Sequence, residues 1–295
     1  MKNKGIKFVL WVGCILLLAV GSIPSLAFAS GYHGHPFSWD APSKSSAVLH
    51  KGTPASAGMA QDPLTDIDKA VNDAIAQKVM PGAVVLVARK GTIVKEQAYG
   101  YAYRYTDDQF TEASVPVLAK TNTIYDIASI SKLFTSIAAM QLFEKRKFAL
   151  DDPVAKYIPA FAENGKENVT IRQLMTHTSG FEAGIPVYKM GTSRKDRLEI
   201  VLKHGLQNPP GTTYTYSDLN MITLGVLVEV LSGQRLDAYV KTHITGPLGM
   251  CDTMYNPPAS LKTRIAATEF QPWTERGMIR GQVHDENAWA LDGVA

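Results

Sequence analysis

Between Leu133 and Phe143, in a stretch that starts at Ser129, the only polar residues are Thr135, Ser136 and Gln141. The length and composition read as an α-helix, and a helix that is apolar nearly all round is buried on all sides. Other elements must then pack against every face of it. The helix belongs at the centre of the molecule, and whatever begins it stands at the mouth of a dry interior.

The flanking sequence supplies both classes of element needed to bury it. Asp62 and Pro63 suit a helix start, and Leu64, Ile67, Val71 and Ile75 recur on one face until Pro81-Gly82 ends the segment. Ala83 to Ala88 and Thr92 to Tyr99 are strand-like runs separated by Lys90-Gly91, which reads as a hairpin. Val169 to Met175 reads as a short helix. Ser217 to Leu231 reads as a longer one, capped by Ser217 and stopped at Gly233. The pattern predicts an α+β fold, with an antiparallel sheet flanked by helices and a separate all-helical region.

The start of the chain reads as an address. Lys2, Lys4 and Lys7 precede an apolar run from Phe8 to Val20, and Ala27-Phe28-Ala29 offers small residues for cleavage after Ala29. Residues 1–29 are therefore expected to be a secretory signal peptide. Residues 30–61, rich in Gly, Ser, Pro and Ala, are expected to be a flexible leader, and 62–295 the folded domain. His33-Gly34-His35 in the leader lacks an acidic or histidine partner nearby and reads as solvated tail. The apolar run is too short for a comfortable membrane span, so an extracytoplasmic location in a bacterial envelope without a stable span is expected. Removal of Cys14 with the signal leaves Cys251 alone, so a packed core must supply stability in place of a disulfide. A formal net charge of +3 without long basic runs gives no reason to invoke nucleic acid. Nothing fixes an oligomeric state.

The helix start carries the chemistry. In Ser129-Ile130-Ser131-Lys132, the first and last residues lie three apart, on one helix face with Cβ atoms roughly 5–6 Å apart. A serine hydroxyl is a poor nucleophile until a neighbour takes its proton. A lysine can do so if neutral, which asks its pKa to fall about three units from ~10.4. Burial pushes in that direction. The free N–H groups of a helix start also suit an oxyanion. A bare Ser-x-x-Lys arises about once by chance in a chain of this content. The apolar helix and the preceding Tyr125-Asp126-Ile127-Ala128 give the motif its weight.

Tyr125 to Thr135 resembles the active-site segment of class C β-lactamases and the related penicillin-binding proteins and esterases. Ile171 to Gly180 is similar to that family's Leu-Leu-x-His-Thr-Ser-Gly stretch, and Pro210 to Asp218 to its tyrosine motif. The resemblance runs from about Asp62 to the end of the chain. It implies a β-lactamase/transpeptidase-like fold in which Ser129 is acylated and Lys132 accepts or relays its proton. Tyr216 would shuttle a proton to the leaving group, and Asp218 would border the substrate. His177 resembles a structural histidine that bonds backbone, and His284-Asp285-Glu286 reads as a loop lining the cleft.

Two departures from the family pattern matter. Its tyrosine motif usually ends in Asn, whereas Asp218 stands here, and an ionised Asp only accepts hydrogen bonds. A carboxylate near Lys132 also favours the charged ammonium. The family's third motif, Lys-Thr-Gly or His-x-Gly on a core strand, has no counterpart after Tyr216. The expectation is that the C-terminal part of the domain is missing, and losing an oxyanion donor with it costs roughly 10²–10³ in turnover.

These features predict a secreted serine hydrolase that acts on amides or esters. Its substrates would be peptidoglycan peptides, as for a D,D-carboxypeptidase or muropeptide amidase, small esters, or β-lactams. It needs no cofactor or metal. The rival is a non-catalytic penicillin-binding or sensor-like domain, or an inactive fragment. A metal-dependent hydrolase lacks a His-Glu-x-x-His, and an α/β-hydrolase lacks its Gly-x-Ser-x-Gly elbow.

Overall fold

A computed structural model describes residues 49–294, so the expected signal peptide and most of the expected leader lie outside the described residues. The sheet side comprises β1 (His50–Lys51), α1 (Asp62–Ala76), β2 (Gly82–Arg89), β3 (Thr92–Tyr105) and β4 (Glu112–Leu118). β2 and β4 both run antiparallel to β3, and β1 pairs with it in parallel. Lys90 and Gly91, both at positive φ, close the β2–β3 hairpin as a two-residue loop of this twist requires. α1 packs on β3, where Asp68 accepts from Lys95 Nζ at 2.7 Å and from the Tyr99 hydroxyl.

The leader boundary is corrected here. His50 and Lys51 pair with β3, and residues 55–57 form a short 3₁₀ turn whose Ala57 is buried. Arg89 donates to the carbonyls of Ala57 and Gly58. Backbone pairing and one arginine hold this piece, and neither leaves an apolar period in sequence. α1 opens without a side-chain cap, so Asp62 does not play the capping role expected of it.

The helical side contains α2 (Ser131–Glu144), α3 (Ile171–Met175), α4 (Arg194–Lys203), α5 (Asp218–Ser232) and α6 (Leu236–Val240). Ala138 and Ala139 of α2 are fully buried, and these small side chains let α5 approach closely. Leu219, Leu224 and Leu227 of α5 are also fully buried in a core that gathers Phe161, Ile171, Leu174 and Phe181. α5 ends as expected at Gly233 in the left-handed conformation. β5 (Ala267–Gln271), β6 (Gly277–Arg280) and α7 (Glu286–Ala290) follow as a hairpin and a single short helix. Cys251 is free and exposed. Among the described residues no helix is long and apolar enough to cross a membrane.

Two further expectations are overturned. α2 is not buried on all sides: Leu133 and Ile137 are 60% and 45% exposed, and Ile130 in the turn just before it is 56% exposed. They form a stripe at one-turn spacing that no described element covers, opposite the face packed on α5. Ser217 does precede α5 in an extended conformation, but its buried hydroxyl caps no amide. Its own N–H is drawn instead to His177 Nδ1 at 3.1 Å, and the first α5 amide goes to Ala183.

Candidate active site

Ser129 sits in a 3₁₀ turn, Ala128–Ile130, that runs directly into α2. Asp126 builds this turn: its Oδ1 accepts the Ala128 N–H at 2.8 Å, the side chain binding backbone two residues on. Ala128 takes φ +47° there, a left-handed conformation that costs a non-glycine residue on the order of 1 kcal/mol. The helix geometry then brings Lys132 under Ser129, with Nζ donating to Oγ at 2.9 Å.

α5 delivers the second half of the site. Asp218 at its first position lies 2.8 Å from Lys132 Nζ through Oδ1. Tyr216 approaches from the same side, with Lys132 Nζ 5.0 Å from its ring centroid. Ser129, Lys132, Tyr216 and Asp218 therefore meet in one place. Burial works to lower the Lys132 pKa, but hydrogen bonding to Asp218 and its charge, with Tyr216 added, outweigh burial and hold the ammonium above its ordinary value. Of the two opposing influences anticipated from sequence, the carboxylate prevails. Burial is real, but the carboxylate supplied by Asp218 is stronger.

His177 secures the tyrosine segment. It follows α3 at φ +56°, its carbonyl accepts the Thr215 N–H at 2.9 Å, and its Nδ1 accepts the Ser217 N–H. Nδ1 also faces the Asn220 side-chain amide at 3.2 Å, and Asn220 takes the buried Ser179 hydroxyl at 2.6 Å. The ring lies against Tyr216, with centroids 4.7 Å apart. Burial first, and the Lys132 charge second, push the His177 pKa down, which fits a neutral imidazole accepting at Nδ1. The Thr-His-Thr-Ser-Gly stretch is thus a bracket for Tyr216.

A cavity of about 230 Å³ opens over these groups, and its wall includes Ser129, Lys132, Asp218, Asp126 and His284. The last two form a pair that sequence reasoning missed. His284 Nδ1 lies 2.9 Å from Asp126 Oδ2, and the His284 backbone N–H donates to the same oxygen at 3.0 Å. Burial pushes the Asp126 carboxyl upward, but bonds from His284 and Ala128 outweigh it and hold it below 3.8. Asp126 in turn raises His284 above 6.5, against burial. Both residues lie in stretches singled out by sequence, but their separation by 158 positions hid the contact. Among the described residues no cluster of His, Cys, Asp and Glu could hold a metal ion.

A family model described as Beta-lactamase matches residues 67–292. Curated relatives named "Putative D-alanyl-D-alanine carboxypeptidase", from Salmonella agona (strain SL483) and Salmonella typhi among others, are 34% identical over 276 residues. These alignments cover 84% of this chain and 63% of the relatives, so the chain spans less than two thirds of their length. Solved structures with a similar fold include a class C β-lactamase, at a TM-score of 0.62 and 20% identity over 77% of this chain and 58% of that one. FmtA from Staphylococcus aureus matches at 0.58 and 22%, over 77% and 60%. The chain belongs to the Beta-lactamase family, whose members include the serine β-lactamases and penicillin-binding proteins.

Proposed function

We propose that this protein is an extracytoplasmic serine hydrolase that forms an acyl-enzyme at Ser129 and cleaves cell-wall peptides ending in D-alanyl-D-alanine. The observation that carries the proposal is the 2.9 Å contact between Lys132 Nζ and Ser129 Oγ at the wall of the cavity. Ser129 Oγ bonds to the substrate carbonyl carbon while its proton passes to Lys132 in the fraction of molecules whose amine is neutral. The scissile bond then breaks, and Tyr216 protonates the leaving group and regains its proton from Lys132. Water cleaves the ester to Ser129 and restores the enzyme. Asp218 borders the substrate as well as pairing with Lys132. The name carried by the curated relatives supports the choice of substrate.

The test is release of D-alanine from an N-acylated peptide ending in D-Ala-D-Ala. The expected result is measurable release that falls at least about 10³-fold in Ser129→Ala, since removing a nucleophile forfeits the chemical step. Equal rates for the two proteins contradict the proposal. A second reading, a penicillin-binding domain that does not turn over, is favoured by the Lys132–Asp218 ion pair. It predicts a stoichiometric, long-lived acyl adduct with no product release.

A further inference from the structure

The Asp126–His284 pair has no part in the proton path just described, yet it is tied into the fold from both ends. On one side Asp126 holds the Ala128 amide and with it the left-handed residue that immediately precedes Ser129. On the other side it takes both the ring and the amide of His284. The His284 carbonyl is itself held, by Gln271 Nε2 at 2.7 Å and Arg276 Nη2 at 3.0 Å, and Arg276 Nη1 takes the Val283 carbonyl at 2.8 Å. Arg276 also lies over the Trp289 ring, 4.5 Å from its centroid.

The residues that follow fasten the same loop elsewhere. Asp285 caps α7 through the Ala288 amide, and Glu286 accepts from Trp273 Nε1 at 2.9 Å. Asn287 donates to the Ile185 carbonyl at 2.9 Å and accepts from the Tyr188 amide. Next to Asp126 a backbone bridge joins Ile124 to Arg264 and Ala266, at 2.8 and 2.9 Å. Every backbone group of His284 and one ring nitrogen are therefore committed, and the amide and the ring nitrogen converge on the carboxylate that shapes the nucleophile turn.

We propose that His284 is a positioning residue that acts through Asp126, holding the strained Ala128 turn so that the Ser129 hydroxyl meets Lys132. The bond from Nδ1–H to Asp126 is the operative contact. The charged groups facing the ring are Asp126, Glu269 and Asp285, and the first of these raises its pKa most. Asp126 therefore favours the charge-assisted form of the bond more than a free imidazole would. The inference rests on the hydrolase reading only for its kinetic readout.

Two variants separate positioning from other roles, because Asn can place an amide N–H where Nδ1–H stands while lacking the remainder of the ring. With an alkyl fluorophosphonate as the probe, Ser129 labelling is expected to slow at least tenfold in His284→Ala and to stay within threefold of the parent in His284→Asn. The pH dependence of labelling is expected to lose the component that His284 titration contributes in His284→Asn. Unchanged labelling in His284→Ala overturns the proposal. So does a His284→Asn protein as slow as His284→Ala, since the bond to Asp126 would then be irrelevant.

Amide hydrogen exchange on the parent chain reads the same clasp without catalysis and without a variant that must fold. The Ala128 amide, whose acceptor is Asp126, is expected to exchange at least tenfold slower than an unbonded amide of the same turn, and an unprotected Ala128 overturns the inference. Protection at Ala128 in a protein that no fluorophosphonate labels contradicts the hydrolase reading and leaves the positioning role standing.

Discussion

Lys132 is flanked by the hydroxyl it is meant to activate and by a carboxylate that keeps it charged. The family pattern has an asparagine where Asp218 stands, so Asp218→Asn removes the anion while keeping a hydrogen-bonding group of similar size. Each unit by which the Lys132 pKa falls raises the neutral fraction about tenfold at neutral pH. Fluorophosphonate labelling of Ser129 in Asp218→Asn is therefore expected to be about tenfold faster at pH 7, with its pH dependence displaced downward. Slower labelling would place Asp218 in an obligatory proton path. The meeting of Ser129, Lys132 and Tyr216 could be anticipated because each lies in a local motif. The Lys132 charge state was half legible: sequence showed both burial and the Asp218 departure, but only their 2.8 Å separation decides which wins. The Asp126–His284 contact depends on a 158-residue closure that no local pattern encodes.

Elements were legible where their period was clean and blurred where the chain bends. β3 continues to Tyr105, beyond the run that ended at Tyr99, because Gly100 takes φ +59° and lets the strand turn from β2 toward β4. A Cβ at Gly100 would lie 2.4 Å from the Pro81 carbonyl oxygen, so Gly100→Ala is expected to cost more than about 1 kcal/mol in denaturant unfolding. The apolar α2 pattern was right about the helix and wrong about its surroundings, since periodicity reports what a face could bury and not what arrives to cover it. Leu133, 60% exposed, illustrates this: Leu133→Lys is expected to change stability by no more than about 0.5 kcal/mol. A loss of 2 kcal/mol would mean that stripe is covered in solution. The clasp adds a pH dependence. His284 is raised, so its contribution is complete below 6.5 and fades as pH rises through the higher folded value. Asp126 is lowered, so its contribution is complete above 3.8 and fades as pH falls through the folded value. The parent is thus expected to lose melting temperature as pH rises above 6.5 more steeply than His284→Asn, and parallel curves would contradict this.

At the scale of the whole molecule, the main apolar cluster runs from Ala138 to Val294 and is built by the helical side and α7's neighbours, with the sheet contributing its own smaller buried set. With Cys251 free, that cluster carries the stability. Leu224, fully buried on α5, is expected to cost about 2–5 kcal/mol on truncation to Ala, lowering the melting temperature roughly 5–15 °C. A smaller loss would mean that α5 is not the centre of the core. The α+β class and the helical region were read correctly because their punctuation is local, whereas the position of β5, β6 and α7 beside the nucleophile turn follows from long-range packing alone. All of this architecture converges on a single claim, that the hydroxyl at the head of α2 is an acyl acceptor. Intact-mass and peptide-mapping spectrometry after exposure to a fluorophosphonate tests it most directly. The account predicts one adduct per chain, on Ser129, that disappears in Ser129→Ala. An unmodified parent chain, or an adduct that persists in Ser129→Ala, would contradict it.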